Sequence, residues 1–137
     1  MNVAWVLNAL ALGFGGALGL RALVDPKWAA RFARLKPDDQ GGGEAEFRAT
    51  YGGVFFFTHA VALLFTLKYL SGGSAVIGVC ATGAAAVLSS GWAGSAAGRF
   101  FAIWRDGVRT KFNLYCAFAE IVLALAIGAP WITWVLG

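Results

Sequence analysis

Charge is what this sequence has least of. Asp, Glu, Lys and Arg together make up 13% of its 137 residues, with one His, two Cys and three Pro, whereas 59% are hydrophobic. A water-soluble domain of this size would lack the polar surface to stay dissolved, and the mean hydropathy of +0.70 points to a bilayer as solvent. The shortage of cysteine excludes a disulfide framework. Cys80 and Cys116 fall in different apolar stretches, about 15 Å apart in depth at ~1.5 Å rise per residue, beyond the reach of a disulfide.

Four apolar stretches are present instead, at 2–24, 51–70, 75–98 and 112–136. Each is long enough for a membrane-spanning helix, which needs about 20 such residues. They take up most of the chain as one integral membrane domain over residues 1–137, with no room for a separate soluble catalytic domain, so an enzyme is not the expected reading. Residues 1–20 contain no Lys or Arg, and a signal peptide needs a basic region ahead of its apolar core. The first stretch is therefore expected to be retained.

The positive charge is placed asymmetrically. Arg21, Lys27, Arg31, Arg34, Lys36 and Arg48 lie around the first connection, and Arg99, Arg105, Arg109 and Lys111 around the last. By the positive-inside rule both connections face the cytoplasm, putting both termini on the periplasmic side of a bacterial inner membrane. Lys68, at the other end of the second span, can snorkel to the headgroups. Basic residues gathered at two short connections between spans mark topology, so nucleic acid, which needs charge and aromatic platforms spread over an exposed surface, is not an expected partner.

Between the first two spans, Asp25-Pro26 reads as a helix cap followed by proline at the first helical position. Trp28, Phe32 and Leu35 then recur at spacings of four and three among the basic residues, predicting a short amphipathic helix in the headgroup region. Pro37 should end it, and 38–44 should form a flexible linker. Ser71-Gly72-Gly73-Ser74 can only reverse the chain. The predicted fold is all-α, a four-transmembrane-helix up-and-down bundle with that short cytoplasmic helix between the first and second spans. Small-residue stripes should pack inward: Asn8, Gly15 and Gly19 in the first span, Gly91, Gly94, Ser95 and Gly98 in the third. In the fourth, Asn113, Ala117, Glu120, Ala124 and Gly128 share a face.

Two ionisable residues fall inside spans, His59 and Glu120. Each lies eight residues past its span's cytoplasmic start, roughly 12 Å deep, so the two could meet. A charge at that depth is costly without a partner. One reading is a proton relay or a ligand site, taking a quinone, a lipid or a pigment. The other is a hydrogen bond joining two helices. A second group, Glu46, Arg48 and Tyr51 with Arg99, Arg105 and Asp106, should form an interfacial polar network at the cytoplasmic face. No zinc spacing, phosphate-cradling loop or nucleophile elbow is present.

The run Glu46-Phe47-Arg48-Ala49-Thr50-Tyr51-Gly52-Gly53, with Gly98-Arg99, Asp106-Gly107 and then Glu120, resembles small bacterial four-helix membrane proteins of a domain-of-unknown-function family, distantly like the DoxX-type proteins. The resemblance spans nearly the whole chain, and Arg48 to Gly53 is its most specific part. It implies a role beside quinone-linked redox complexes or in assembly of other membrane proteins, with other integral membrane subunits or further copies of itself as partners. It implies no catalytic residue, and His59 lies outside the pattern.

Overall fold

A computed structural model describes residues 3–36 and 42–137. Four helices are long and apolar enough to cross a membrane, Val3–Val24, Gly42–Leu70, Ala75–Asp106 and Lys111–Leu136. With a short helix between the first and second, this is the all-α architecture expected for a four-span bundle. We name the elements α1 (Val3–Val24), α2 (Pro26–Ala33), α3 (Gly42–Glu46), α4 (Phe55–Leu70), α5 (Ala75–Asp106) and α6 (Lys111–Leu136). Between α3 and α4, residues Phe47–Val54 continue the second span as a wider π-helical stretch.

Each boundary has a local cause. The Asp25 carboxylate accepts the Trp28 N–H at 2.9 Å, and Pro26 opens α2 where its missing N–H costs nothing. The helix stops at Ala33, ahead of Pro37: Arg34 turns left-handed (φ 59°) and gives its N–H to the carbonyls of Ala30 and Arg31. Pro37 and residues 38–41 of the expected linker lie outside the described residues. Gly42 to Glu44, expected to be linker too, are helical. Glu44 favours this by placing an acid in the first turn, against the positive helix end. α5 runs past Gly98 to Asp106 and closes on Gly107 (φ 69°), and Thr110 caps α6 by accepting the Asn113 N–H at 3.1 Å.

The chain falls into two compact units, residues 12–64 and residues 1–11 with 65–137. In the first, glycine lets α1 and the second span touch backbone to backbone. A Cβ on Gly19 would meet the Phe56 backbone nitrogen and come within 2.9 Å of the Phe55 carbonyl carbon. One on Gly52 would lie 2.6 Å from Leu23 Cα. Beside them Ala22, Ala29, Ala30 and Phe47 form a buried cluster that seats α2. In the second unit α5 and α6 form an antiparallel hairpin, in which Ser89 donates to the Ala124 carbonyl at 2.8 Å and Gly128 admits the Ser89 side chain.

One expected stripe is inverted. Gly91, Gly94 and Gly98 do not pack inward. They are exposed, and a Cβ at any of them would meet nothing within 4 Å. The buried side of α5 carries Gly78, Ala81, Ala85, Ser89 and Ala96. Alanine and serine are small enough to permit the approach to α6, so the glycines are not needed there. Substitution should separate the two kinds of glycine. Gly19→Ala is expected to cost about 1–3 kcal/mol because backbone must move. Gly13→Ala, with open space around its Cβ, should be neutral or stabilising by up to about 1 kcal/mol. Thermal unfolding in detergent measures both.

Candidate functional site

The distribution of side chains is the reverse of a soluble protein's. Val79, Val87 and Trp104 are each more than 70% exposed, while Asn8, His59, Thr66, Ser89 and Glu120 are buried. With four candidate spans, this makes the chain a multi-pass integral membrane protein, its outward apolar side chains facing lipid. Comparison with family models, curated proteins and solved structures gave no match.

The polar groups inside the spans are held in three arrangements. Within the unit of residues 1–11 and 65–137, Asn8 and Thr66 are both 0% exposed. Thr66 Oγ1 donates to Asn8 Oδ1 at 2.8 Å, and Asn8 Nδ2 donates to the Ile127 carbonyl at 2.6 Å. That carbonyl is within a turn of Pro130, a proline inside α6. The missing proline N–H takes the backbone donor from the Ala126 carbonyl, four residues earlier, so the Asn8 bond falls one residue from this break in the ladder. Asn8 thus ties three spans with one amide. The sequence held the signal, a lone Asn in an apolar run and a proline in a span, but nothing in it paired the two.

The second arrangement is built on Glu120. Arg99 Nε lies 2.8 Å from Glu120 Oε1 and 2.9 Å from Oε2, and Ser95 Oγ donates to Oε1 at 2.9 Å. A further guanidinium nitrogen of Arg99 donates to Asn113 Oδ1 at 3.1 Å, and Asn113 Nδ2 donates to the Val108 carbonyl at 3.0 Å. The carboxylate is therefore paired with one cation and hydrogen-bonded by a hydroxyl. The Arg99 side chain keeps 31% of its surface and Glu120 only 8%. Such a pair can close the loop end of a hairpin and shield an acid from hydrocarbon.

His59 lies in the other unit. Its Nδ1 sits 2.7 Å from the Phe55 carbonyl, which can only accept, so Nδ1 carries the hydrogen. The ring stacks on Phe55, with centroids 5.6 Å apart. Across from it, a Cβ on Gly15 would strike the imidazole edge at Cδ2 and Nε2. Gly15 is thus the notch that accommodates this ring.

The residues expected as one interfacial network are divided between the two units. Arg48 donates to the carbonyls of Leu23 and Val24 and so caps α1, while Glu46 accepts from Thr50. Tyr51 packs its ring on Phe47, with centroids 5.1 Å apart. Arg99 turns into the hairpin to meet Glu120. Arg105 and Asp106 are exposed at the end of α5. The unit of residues 1–11 and 65–137 also carries an open cavity of about 680 Å³ that the sequence did not reveal, lined by Trp5, Tyr69, Trp131 and Trp134 with Gly78, Thr82 and Thr133. Gly78 is the close approach there, since a Cβ would lie 2.7 Å from the Tyr69 ring. Among the described residues no group of three His, Cys, Asp or Glu is placed to hold a metal.

If Glu120 is held as an ion pair, Arg99→Gln should destabilise by about 1–3 kcal/mol, since it strands a buried carboxylate. Adding Glu120→Gln should restore most of the loss. A double-mutant cycle by chemical denaturation in detergent measures the coupling, and additive losses would mean the pair contributes nothing.

Proposed function

We propose that this integral membrane protein is an accessory, structural or assembly subunit that docks onto a larger membrane complex through the outward face of α5. The observation that carries this reading is the inverted glycine stripe. Gly83, Gly91, Gly94 and Gly98 all have open space where a Cβ would stand, and Gly94 and Gly98 have the four-residue spacing of close-packed membrane helices. Glycine toward lipid gives up contact area and helix propensity. The same residues against a neighbouring helix gain a close backbone approach. Phe100 and Phe101 of the same helix add exposed aromatic surface. The DoxX-like resemblance of Glu46 to Gly53 directs the proposal toward energy-transducing complexes in a bacterial inner membrane. By the positive-inside rule the proposal has the basic connections inside and the termini in the periplasm.

The alternative is a module that binds a quinone or lipid and relays protons through Glu120 and His59. The 680 Å³ cavity favours ligand binding, since cavities of this size suit small organic molecules. Its lining includes neither Glu120 nor His59, and the Glu120 carboxylate already has Arg99 and Ser95 as partners. Relay therefore has less support than docking.

Purification in mild detergent tests the reading. The protein should co-purify with other integral membrane subunits, and Gly94→Leu with Gly98→Leu should reduce that recovery about tenfold or more by removing a close-packed contact. The variant itself should stay folded, because a Cβ at either glycine meets nothing within 4 Å among the described residues. Recovery of the unmodified protein only as a free monomer or homodimer would contradict it. For the alternative, Glu120→Gln and His59→Ala should abolish proton flux in reconstituted vesicles.

A further inference from the structure

The unit of residues 12–64 carries a second, shallow and solvent-open cavity, about 500 Å³, at the side of α2. It is lined by Lys27, Ala30, Arg31, Arg34, Leu35, Lys36 and Glu44. Lys27 and Arg31 are one helical turn apart on one face of α2. The left-handed Arg34 then reverses the chain, fixed by the Leu35 N–H bonding back to the Ala30 carbonyl at 3.0 Å, and this brings Lys36 to the same cavity. Among the described residues, Glu44 is the one acid in the lining, 3.9 Å from Lys27 with both side chains well exposed. Like charges one turn apart destabilise a helix, and eight residues have little stability to spare. The arrangement calls for an anion.

The neighbouring surface narrows the choice of anion. Trp28 and Phe32 stack with centroids 5.2 Å apart on the adjoining face of α2, and Arg21 lies over the Trp28 ring at 4.4 Å. Phe32 and Leu35 are each about half exposed. A basic cavity beside apolar rings matches an amphiphile with an acidic head.

We propose that this cavity is a discrete binding site for an acidic phospholipid, its phosphate held among Lys27, Arg31 and Lys36 and its acyl chains laid over Phe32 and Leu35. It is independent of docking through α5. A site of this kind retains one lipid per chain, in contrast to the diffuse attraction of scattered basic residues for an anionic surface.

Native mass spectrometry of the full chain, released from nanodiscs of mixed phosphatidylglycerol and phosphatidylcholine, tests it. One phosphatidylglycerol should remain bound in preference to phosphatidylcholine. Lys27→Gln with Arg31→Gln should weaken retention about thirtyfold. Lys111→Gln, with a single charge removed elsewhere, should leave retention unchanged. Glu44→Gln removes the acid and should strengthen retention, which keeps the proposal open to refutation if the double variant unfolds. Inorganic phosphate and glycerol phosphate serve as competitors and should displace the lipid only at far higher concentration. Equal retention of both lipids, indifference to the double variant, no gain from Glu44→Gln, or competition by free phosphate at concentrations equal to the lipid's would each overturn the lipid site, the last in favour of a simple anion site.

Discussion

Inside hydrocarbon no water is available to satisfy a polar group, so every amide, hydroxyl or carboxylate in a span must find its partner within the protein. Asn8 shows the consequence. Its amide takes the Thr66 hydroxyl on one side and gives a hydrogen to the Ile127 carbonyl on the other, and leaving any of these unmade in a dry site would cost more than the bond contributes in water. Glu120 obeys the same rule with Arg99 and Ser95. Among the described residues no buried side-chain nitrogen or oxygen lacks a hydrogen-bond partner. The polar residues set which helix faces meet, and the apolar ones, indifferent between lipid and protein, fill the remainder.

Glycine supplies the complementary constraint. Gly19 and Gly52 allow backbones to touch, and Gly15 admits an imidazole. These contacts hold the short α2 against the second span through Ala29, Ala30 and Phe47, which in turn positions the basic cavity beside exposed aromatic rings. Surface chemistry at this end of the unit thus depends on close packing within the membrane.

The spans, their number and the capped start of α2 were legible in the sequence because they rest on length, hydropathy and local capping by Asp25 and Pro26. The stripe of Asn8, Gly15 and Gly19 was legible as an inward face for the same reason, a helical spacing of unusual residues. Partner choice was not. Arg99 and Glu120 stand at similar distances from the turn at 107–110, so the hairpin register pairs them. Ending the third span at Gly98 left Arg99 in a loop and hid that register. The glycines of α5 misled because small residues signal close packing without saying whether the neighbour belongs to this chain. The Asn8 link needed the Ile127 carbonyl of another span to lie at the same depth, a tertiary fact that no single stretch contains.

The central claim is that these helices cross a bilayer, which puts the two basic connections on one side and the Ser71–Ser74 turn on the other. In a background with Cys80 and Cys116 replaced by Ser, single cysteines at Arg31, Ser71 and Arg105 can be probed in sealed cells with a membrane-impermeant maleimide. Arg31→Cys and Arg105→Cys are predicted to react alike and Ser71→Cys oppositely, with the protein wholly in the membrane fraction. Equal labelling of all three positions, or recovery of the protein in the soluble fraction, would contradict the claim.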